Sequence, residues 1–387
     1  MIPPVRVGLN LLHLIPGKLG GLETYAVNLL DDLRRTSGLE IFILCATKYA
    51  GNFAPWARDF TVVPLDVAVD STPRRILHEQ LFLAREVRRL RLDVLHSSGY
   101  TAPVSVPCRK VMTVHDLNYL EIPDLIRRSH GELRYRLIRW LGPRSMRAAD
   151  QLITVSAHVG RRAQALCGIA AERIHPILNH PAADMRAIVA EPPPAAAALQ
   201  AEPFLLYVAS WYPHKNHATL FAALSALQAR TGRTPRLVLA GLHLKNDEQR
   251  GELQAQLGAA GLTDRTHVVA AHLSVAQLAW LYREARCFVF PSRFEGFGIP
   301  ILEAMSAGTP VLCADRMPMT EVAGGATRLF DPEDVAQLSA LIGACWDDEA
   351  ELARLAAAGR ARYEELCAEA RRVPQRLEAV YRAALAS

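Results

Sequence analysis

The feature that most constrains the fold is a repeated alternation of short β-branched runs with longer segments of helical periodicity. In the first half of the chain the runs VRVGLNLL, EIFILCA, KVMTVHD and QLITVS are separated by segments such as GLETYAVNLLDDLRR and ILHEQLFLAREVRRL. Continuous apolar runs of this kind, each followed by a helix, are typical of parallel strands that are covered on both faces. The sequence therefore predicts an α/β fold with doubly wound parallel sheets.

The alternation pauses once, at the Pro- and Ala-rich stretch AEPPPAAAALQAEP (190–203), and then resumes. After it the strands FLLYVAS, RLVLAG, HVVAA, CFVFPS and PVLCA are expected, with helices near 217–230, 247–260, 274–285, from 299 and over 333–346. A chain of 387 residues is also too long for one ordinary core. We therefore predict two doubly wound domains, 1–195 and 196–365, which face each other across a cleft and bind ligands at the carboxyl ends of their strands.

The composition is that of a soluble globular protein, with 50% hydrophobic and 21% charged residues. The N-terminus MIPPVRVGLNLLHLIPG lacks a basic leader, and no apolar run approaches the roughly 18 residues of a membrane span. We therefore expect a cytoplasmic protein. The seven cysteines are scattered and never spaced C-x-x-C, so we expect reduced thiols, neither a disulfide framework nor a zinc site.

The net charge of +5 is unevenly distributed. Residues 1–200 contain 25 Lys and Arg against 18 Asp and Glu, a balance of +7, whereas residues 201–387 contain 19 against 21, a balance of −2. Much of the excess lies in RILHEQLFLAREVRRLR (75–91) and RYRLIRWLGPRSMR (134–147). These segments are interpreted either as solvated helix faces or as surfaces that attract an anionic partner, such as a phosphorylated substrate or a lipid surface. No nucleic-acid partner is expected.

Two glutamates frame the stretch PSRFEGFGIPILEAMSAGTPV (291–311). The apolar strand CFVFPS precedes it, and Pro300 suits the first turn of a helix that Gly308 ends. The Gly296-Phe297-Gly298 segment is thus a strand-to-helix turn, whose N–H groups and helix dipole form an anion site. Glu303 lies in the first turns of the helix and Glu295 in the loop before it. They are interpreted either as ligands of a phosphorylated sugar or as surface charges.

The same stretch resembles the signature of the family-4 nucleotide-sugar glycosyltransferases. It fits P-S-x-x-E-G-F-G-x-P-x-L-E-A-M-x-x-G-x-P-V from Pro291 to Val311. Further similar segments cover most of the chain: GGLETYAVNLL (20–30), TVHDLNYLEIP (113–123), AADQLITVSAH (148–158), LYVASWYPHKN (206–216) and TEVAGGATRLFDPEDV (320–335). The resemblance implies the GT-B fold, two Rossmann-like domains across a cleft, and transfer with retention of anomeric configuration. It also implies that the N-terminal domain binds the acceptor and the C-terminal domain binds the nucleotide-sugar donor.

The resemblance assigns roles in the C-terminal domain. Glu303 would bind the ribose hydroxyls of the donor, and Glu295 would contact hydroxyls of the transferred sugar. The backbone N–H groups of Phe297, Gly298 and Ile299, following Gly296, would hold the sugar and the diphosphate. Lys215 matches the lysine that neutralises the diphosphate, a role suited to its mobile point charge, the alternative being a solvated loop lysine. Many members carry an arginine a few residues earlier, but here the stretch is SWYPH (210–214), which leaves the second phosphate-binding cation unidentified.

Three residues of the N-terminal domain also match the family. His115 corresponds to the histidine that faces the donor sugar, the alternative being a core histidine. Gly20 and Gly21 correspond to the loop that approaches the diphosphate, the alternative being an ordinary turn. The tail 366–387 is expected to return to this domain, with EARRVPQRLEAVYRAAL (369–385) as a helix.

The chemistry implied by the resemblance is cleavage of the anomeric C–O bond, with negative charge growing on the diphosphate. The sequence contains no D-x-D, so we expect neither a metal nor another cofactor. The VHDL and PHKN segments are most similar to bacterial mannosyltransferases that use GDP-mannose in surface polysaccharide assembly, and UDP-sugars are the alternative. The expected acceptor is a glycan or a lipid-linked saccharide, with peripheral contact to the inner face of an anionic membrane.

Other functions on the same fold are weighed against this one. A nicotinamide oxidoreductase is disfavoured because the first strand is followed by GKLGGLE rather than G-x-G-x-x-G, and because Ile301 stands where a third glycine would follow Gly298. A nucleotide-sugar hydrolase or epimerase and a non-catalytic nucleotide-sugar binding protein remain open.

Overall fold

The computed structural model describes residues 3–15, 21–69, 71–180, 184–194, 196–200, 202–244, 246–269 and 273–387, without the side chains of 125, 128–130, 197 and 198. The chain divides into two compact units. Unit 1 comprises Met1–Ala182 together with Ala368–Ser387, and unit 2 comprises Ala183–Cys367.

Unit 1 is built on a seven-stranded sheet in the order β3-β2-β1-β4-β5-β6-β7. Its strands are β1 (Val5–Asn10), β2 (Leu39–Ala46), β3 (Thr61–Leu65), β4 (Val94–Ser97), β5 (Arg109–Val114), β6 (Gln151–Thr154) and β7 (Ile174–Pro176). All of the neighbouring strands pair in parallel. The strand order reverses between β1 and β4, so the carboxyl ends of these two strands mark the point where ligands bind in folds of this kind.

The helices of unit 1 lie between these strands in the sequence, except for the C-terminal one. They are α1 (Gly21–Leu33), α2 (Thr72–Leu81), α3 (Leu83–Arg89), α4 (Asn118–Glu121), α5 (Pro123–His130), α6 (Glu132–Ala148), α7 (Ala157–Cys167) and, at the C-terminus, α16 (Val373–Ala386). The basic segment 75–91 is therefore divided between two helices at Phe82, whereas 134–147 lies wholly within α6.

Unit 2 is built on a six-stranded parallel sheet in the order β10-β9-β8-β11-β12-β13. Its strands are β8 (Phe204–Val208), β9 (Arg236–Ala240), β10 (Thr266–Val268), β11 (Cys287–Phe290), β12 (Val311–Ala314) and β13 (Arg328–Phe330). Its helices are α8 (Ala196–Gln200), α9 (His217–Thr231), α10 (Asp247–Ala259), α11 (Val275–Glu284), α12 (Ile299–Ala307), α13 (Met319–Ala323), α14 (Val335–Trp346) and α15 (Glu349–Ala370), the last of which continues past the end of the unit.

Central strands of unit 2 show why the sequence favours a parallel sheet. All four residues of β11, Cys-Phe-Val-Phe, are buried, as are all four of β12. Helices cover both faces of such strands, so their sequences are apolar throughout rather than alternating. The predicted α/β class with doubly wound sheets is confirmed.

The structure divides the chain at 182, earlier than the Pro-rich stretch that suggested a boundary at 195. The reason is a set of contacts made by residues 184–191. The Arg283 guanidinium donates hydrogen bonds to the carbonyls of Met185 and Ile188, and the Glu191 N–H donates to the Ala276 carbonyl at 3.2 Å. These bonds attach the segment before the prolines to α11 of unit 2.

The C-terminal helix α16 lies in unit 1. Tyr381 on this helix is fully buried, and its hydroxyl lies 2.8 Å from Nδ1 of His96 on β4. The tail is thus part of the core of unit 1, although α15, which precedes it, lies mainly in unit 2.

Candidate functional site

The turn between β11 and α12 has the geometry of an anion site. Gly298, the N-cap of α12, has a φ of +108°, and a Cβ at this position would lie 3.3 Å from Cδ1 of Ile301. Glycine is favoured there for both reasons. Pro300 has no N–H and the Ile301 N–H donates to the Gly298 carbonyl at 3.0 Å, so Ile299 supplies the first N–H of α12, which has no acceptor within the helix. With the helix dipole, this donor favours a negative charge.

Phe297 and Ile299 are buried on either side of Gly298. Their side chains therefore fix the turn to the core, while the backbone supplies the donors. Gly296 lies in the same loop, next to Glu295. The predicted turn residues are thus all placed at the start of α12, although their binding role stays a prediction.

Lys215 and Glu295 form an ion pair at this turn. The Lys215 Nζ lies 2.6 Å from Oε1 of Glu295, and the two side chains are only 18% and 13% exposed. The family resemblance implies separate roles for these residues, the lysine toward the diphosphate and the glutamate toward the sugar. In the structure each residue is the counterion of the other. An anionic ligand that binds Lys215 would therefore compete with Glu295.

Glu303 has a different partner. The hydroxyl of Tyr282, on α11, donates to Oε2 of Glu303 at 2.9 Å. Burial raises the pKa of the Glu303 carboxyl from 4.5 to about 7, although the Tyr282 hydrogen bond acts in the opposite direction. With Oε2 occupied by Tyr282, Oε1 is the oxygen left for a ligand. Tyr282 lies outside the sequence segments that predict site residues, so only the fold reveals its contact with Glu303.

Asn216 connects the turn that carries Lys215 to the loop that begins at Pro291. It has φ +61° and ψ +39° between the 3₁₀ turn Pro213–Lys215 and α9, a left-handed conformation that asparagine tolerates better than most residues. Its buried amide donates to the carbonyls of Pro291 at 3.1 Å and Pro332 at 2.8 Å. The PHKN string contains Asn216, but only the structure reveals that it joins three loops.

The stretch SWYPH (210–214) contributes aromatic packing rather than an arginine. The imidazole of His214 stacks on the ring of Tyr212, with centroids 5.7 Å apart. An arginine in the adjoining loop, Arg293, donates its backbone N–H to the His214 carbonyl at 2.8 Å, but its guanidinium pairs with Glu333 at 2.6 Å. The role of Lys215 toward the diphosphate stays a prediction.

Unit 1 contains the other predicted site residues. His115 directly follows β5, and its Nε2 lies 2.8 Å from the Ser98 carbonyl oxygen. Because a carbonyl only accepts, Nε2 carries the proton and Nδ1 keeps the lone pair. Burial lowers the pKa of His115 to about 4, so the ring is neutral at physiological pH. Gly21 is the first residue of α1, and Gly20 lies outside the described residues.

The described part of the chain contains neither a metal-binding cluster nor a helix that could span a membrane. No group of three or more His, Cys, Asp or Glu side chains there is arranged to hold a metal ion. Among the same residues, no helix combines the length and the apolar composition needed to cross a bilayer.

Comparison with known proteins follows the division into units. Residues 19–180 match the family described as Glycosyltransferase Family 4, and residues 193–362 match the family described as Glycosyl transferases group 1. The O-antigen chain mannosyltransferase B of Escherichia coli is 30% identical over 273 residues, which cover 69% of this chain and 68% of the relative.

Solved structures with the same fold are more distant in sequence. Sucrose-phosphate synthase from Thermosynechococcus elongatus superposes with a TM-score of 0.74 at 19% identity, covering 98% of this chain and all of the other. HepE from Anabaena, solved with UDP and glucose, superposes with a TM-score of 0.72 at 18% identity, covering 97% of this chain and all of the other. The superpositions show the GT-B fold, and the family matches with the Escherichia coli relative show that the chain belongs to the family-4 glycosyltransferases and resembles the bacterial mannosyltransferases among them.

Proposed function

We propose that the protein transfers mannose from GDP-mannose, with retention of configuration, to a glycan or lipid-linked saccharide during surface polysaccharide synthesis. The observation that carries the proposal is the grouping of the Lys215–Glu295 pair, the N-terminus of α12 and Glu303 beyond the neighbouring strands β8 and β11 of the unit 2 sheet. The name of the Escherichia coli relative, an O-antigen chain mannosyltransferase, supports mannose and polysaccharide.

Unit 2 would bind the donor. Glu303 would accept hydrogen bonds from the ribose hydroxyls through Oε1, while Tyr282 holds Oε2. The diphosphate would lie at the start of α12. Its negative charge would be stabilised there by Lys215 and by the backbone N–H groups of the turn 297–299. Glu295 would then release Lys215 to the diphosphate and accept hydrogen bonds from the transferred sugar.

Unit 1 would contribute His115. Since its ring is neutral and Nε2 donates to the Ser98 carbonyl, Nδ1 is the atom that would accept a hydrogen bond from a sugar hydroxyl. A neutral imidazole also avoids placing a cation beside the oxocarbenium-like sugar.

In the reaction, the bond between the anomeric carbon and the diphosphate oxygen breaks, and the electron pair leaves with the diphosphate. Lys215 and the α12 dipole stabilise that charge. The acceptor hydroxyl then forms the new bond from the face that the diphosphate leaves. Its proton passes to a diphosphate oxygen, so no protein nucleophile is required.

A UDP-sugar is the second candidate donor, because HepE, which superposes over 97% of this chain, was solved with UDP and glucose. A thermal-shift screen with GDP-mannose, GDP, UDP-glucose and UDP separates the two. Turnover is then measured with and without a mannoside acceptor, and the anomeric configuration of the product is read by NMR. Stabilisation by UDP alone would contradict GDP-mannose. Donor consumption that needs no acceptor would indicate a hydrolase, and binding without turnover would indicate a binding protein.

We also propose that unit 1 contacts the anionic inner face of a membrane, where a lipid-linked acceptor would be found. Leu77 and Leu81 on α2 and the adjacent Phe82 are 57%, 61% and 54% exposed. Helix α2 packs against α6, which exposes Leu133 and Trp140.

Exposed arginines lie on α3, which directly follows Phe82, and on α6: Arg85, Arg88, Arg136, Arg139 and Arg144. Arg75 is excluded from this surface because it is buried and pairs with Glu79 at 2.6 Å.

A further inference from the structure

A chain of buried hydrogen bonds runs through unit 1 from the C-terminal helix to Tyr25, whose ring contacts His115. The hydroxyl of Tyr381 on α16 lies 2.8 Å from Nδ1 of His96 on β4, and Nε2 of the same histidine lies 2.8 Å from the Thr113 hydroxyl on β5. The Thr113 hydroxyl in turn lies 2.7 Å from the hydroxyl of Tyr25 on α1. All four side chains are buried.

The last member of the chain contacts His115. The ring of Tyr25 meets the imidazole edge-to-face, with centroids 4.7 Å apart and planes at 87°. Thr113 also precedes His115 by two residues, at the end of β5. The His115 imidazole is therefore held at Nε2 by the Ser98 carbonyl and on one side by the ring of Tyr25. Tyr25 is in turn held by its hydrogen bond to Thr113.

The proton count supports a fully bonded chain. Burial lowers the pKa of His96 to about 3, so its ring is neutral and has one N–H and one lone pair. If Tyr381 donates to Nδ1, the Nε2 N–H donates to Thr113 and the Thr113 hydroxyl donates to Tyr25. The reverse order is equally consistent. In either order each of the three bonds has one proton, and removing the Thr113 hydroxyl leaves two buried groups, Nε2 and the Tyr25 hydroxyl, without that partner.

We propose that Tyr381, His96, Thr113 and Tyr25 are positioning residues for His115, so that the C-terminal helix α16 is part of the His115 site. The inference rests on the proposed function, in which His115 contacts the transferred sugar. A displacement of about 1 Å in a group that orients a substrate is enough to lower kcat substantially. Tyr25 is the member of this series whose ring meets the His115 imidazole, so we expect the effect of Tyr381, His96 and Thr113 to pass through Tyr25.

The test uses Thr113, the central member, in the full-length protein. Thr113→Val keeps the shape of the side chain and removes the hydroxyl, whereas Thr113→Ser keeps the hydroxyl. We expect Thr113→Val and Tyr381→Phe to lower kcat about tenfold with donor KM within about twofold of wild type, and Thr113→Ser to stay near wild type. Leu377→Val changes the packing of α16 without removing any of the hydrogen bonds between Tyr381 and Tyr25. It should lower Tm and leave kcat unchanged.

Three outcomes would overturn the proposal. The first is wild-type kcat in Thr113→Val and Tyr381→Phe, the second is a Thr113→Ser variant as impaired as Thr113→Val, and the third is a loss of kcat in Leu377→Val equal to theirs. The histidine ring resonances give a readout without substrate, with the His115 signal assigned from His115→Gln. Thr113→Val should shift that signal because the Tyr25 ring moves, and Thr113→Ser should not.

The NMR arm separates the two hypotheses. If wild-type protein turns over neither GDP-mannose nor UDP-glucose, the proposed function fails, and the His115 resonance still decides whether the chain positions the ring. If wild-type protein is active and the His115 signal is unchanged in Thr113→Val, the positioning proposal fails alone.

Discussion

The charged residues of the candidate site each interact with a partner that is distant in the sequence. The signature places Glu295 and Glu303 at the start of a helix, and the lysine loop places Lys215 after a strand. Their contacts, however, join residues 80 positions apart, for Lys215 and Glu295, and 21 apart, for Tyr282 and Glu303. No local pattern encodes such pairs, because they depend on which strands become neighbours in the sheet.

The Lys215–Glu295 pair leads to a prediction about charge. Glu295→Gln removes the counterion of Lys215, so we expect the free nucleotide diphosphate to bind at least as tightly as it binds wild type. We expect kcat to fall about 10²-fold, because the glutamate acts where positive charge develops on the sugar. Calorimetry with GDP and steady-state kinetics provide the measurements. Glu333→Gln, which disrupts the neighbouring Arg293 pair, is the control and should change neither; weaker GDP binding in Glu295→Gln would contradict the assignment.

Glu303 leads to a prediction about pH. With a pKa of about 7 it gains its full acceptor charge only as the pH rises through neutrality, so donor KM should fall between about pH 6 and pH 8. Glu303→Gln should abolish this dependence and raise KM by the equivalent of about 1–2 kcal/mol. Tyr282→Phe removes a hydrogen bond that lowers the pKa, so the fall in KM should move to higher pH. Tyr363→Phe, at a buried tyrosine of the same unit, is the control.

The same carboxyl affects stability with a defined sign. Its folded-state pKa lies above the ordinary value of 4.5, so the native state binds this proton more tightly than the unfolded chain does. The contribution of Glu303 to the free energy of unfolding should therefore decrease as the pH rises from about 4.5 to 7. Urea unfolding of wild type and Glu303→Gln across this range measures it, and parallel curves for the two proteins would contradict the raised pKa.

At the scale of elements, the site depends on two turns whose backbone conformations are unusual. Gly298 begins α12 with a φ of +108°. The Gly-Phe-Gly string predicts an unusual turn at this point, because glycine tolerates such angles. Asn216 begins α9 with a φ of +61°, and its amide bonds to loops 75 and 116 residues away. The sequence indicates the first turn through composition, but the second only through contacts that form on folding.

Asn216 should therefore control the position of Lys215. Asn216→Gly permits the left-handed conformation but removes the amide, whereas Asn216→Asp replaces a donor by a carboxylate that faces two carbonyl oxygens. We expect both variants to raise donor KM and lower kcat/KM at least about tenfold, and only Asn216→Asp to lower Tm strongly. Thermal unfolding beside steady-state kinetics checks this. An Asn216→Gly enzyme with wild-type kcat/KM would show that the turn needs the backbone angle alone.

At the scale of the whole molecule, the sequence rhythm predicts two doubly wound units but misplaces the boundary between them. Proline-rich composition is a local signal, and it marks residues 190–203 as irregular. Membership in a compact unit is decided by long-range bonds, here those of Arg283 to the carbonyls of Met185 and Ile188, 98 and 95 residues away. The segment before the prolines therefore belongs to unit 2.

The uneven charge of the molecule leads to the last prediction, that unit 1 binds anionic membranes. Vesicles that contain anionic lipid should bind the protein, neutral vesicles should not, and binding should fall as salt rises. Arg85→Gln with Arg88→Gln should weaken binding about fivefold per arginine, since each contributes about 1 kcal/mol near such a surface. Leu81→Ser with Phe82→Ser should weaken it further by removing apolar area. Val189→Ser, at an exposed valine of unit 2, is the control. Vesicle binding that does not change with ionic strength, or that is unchanged after loss of both arginines, would contradict the proposal. The basic helices would then be interpreted as ordinary solvated surface.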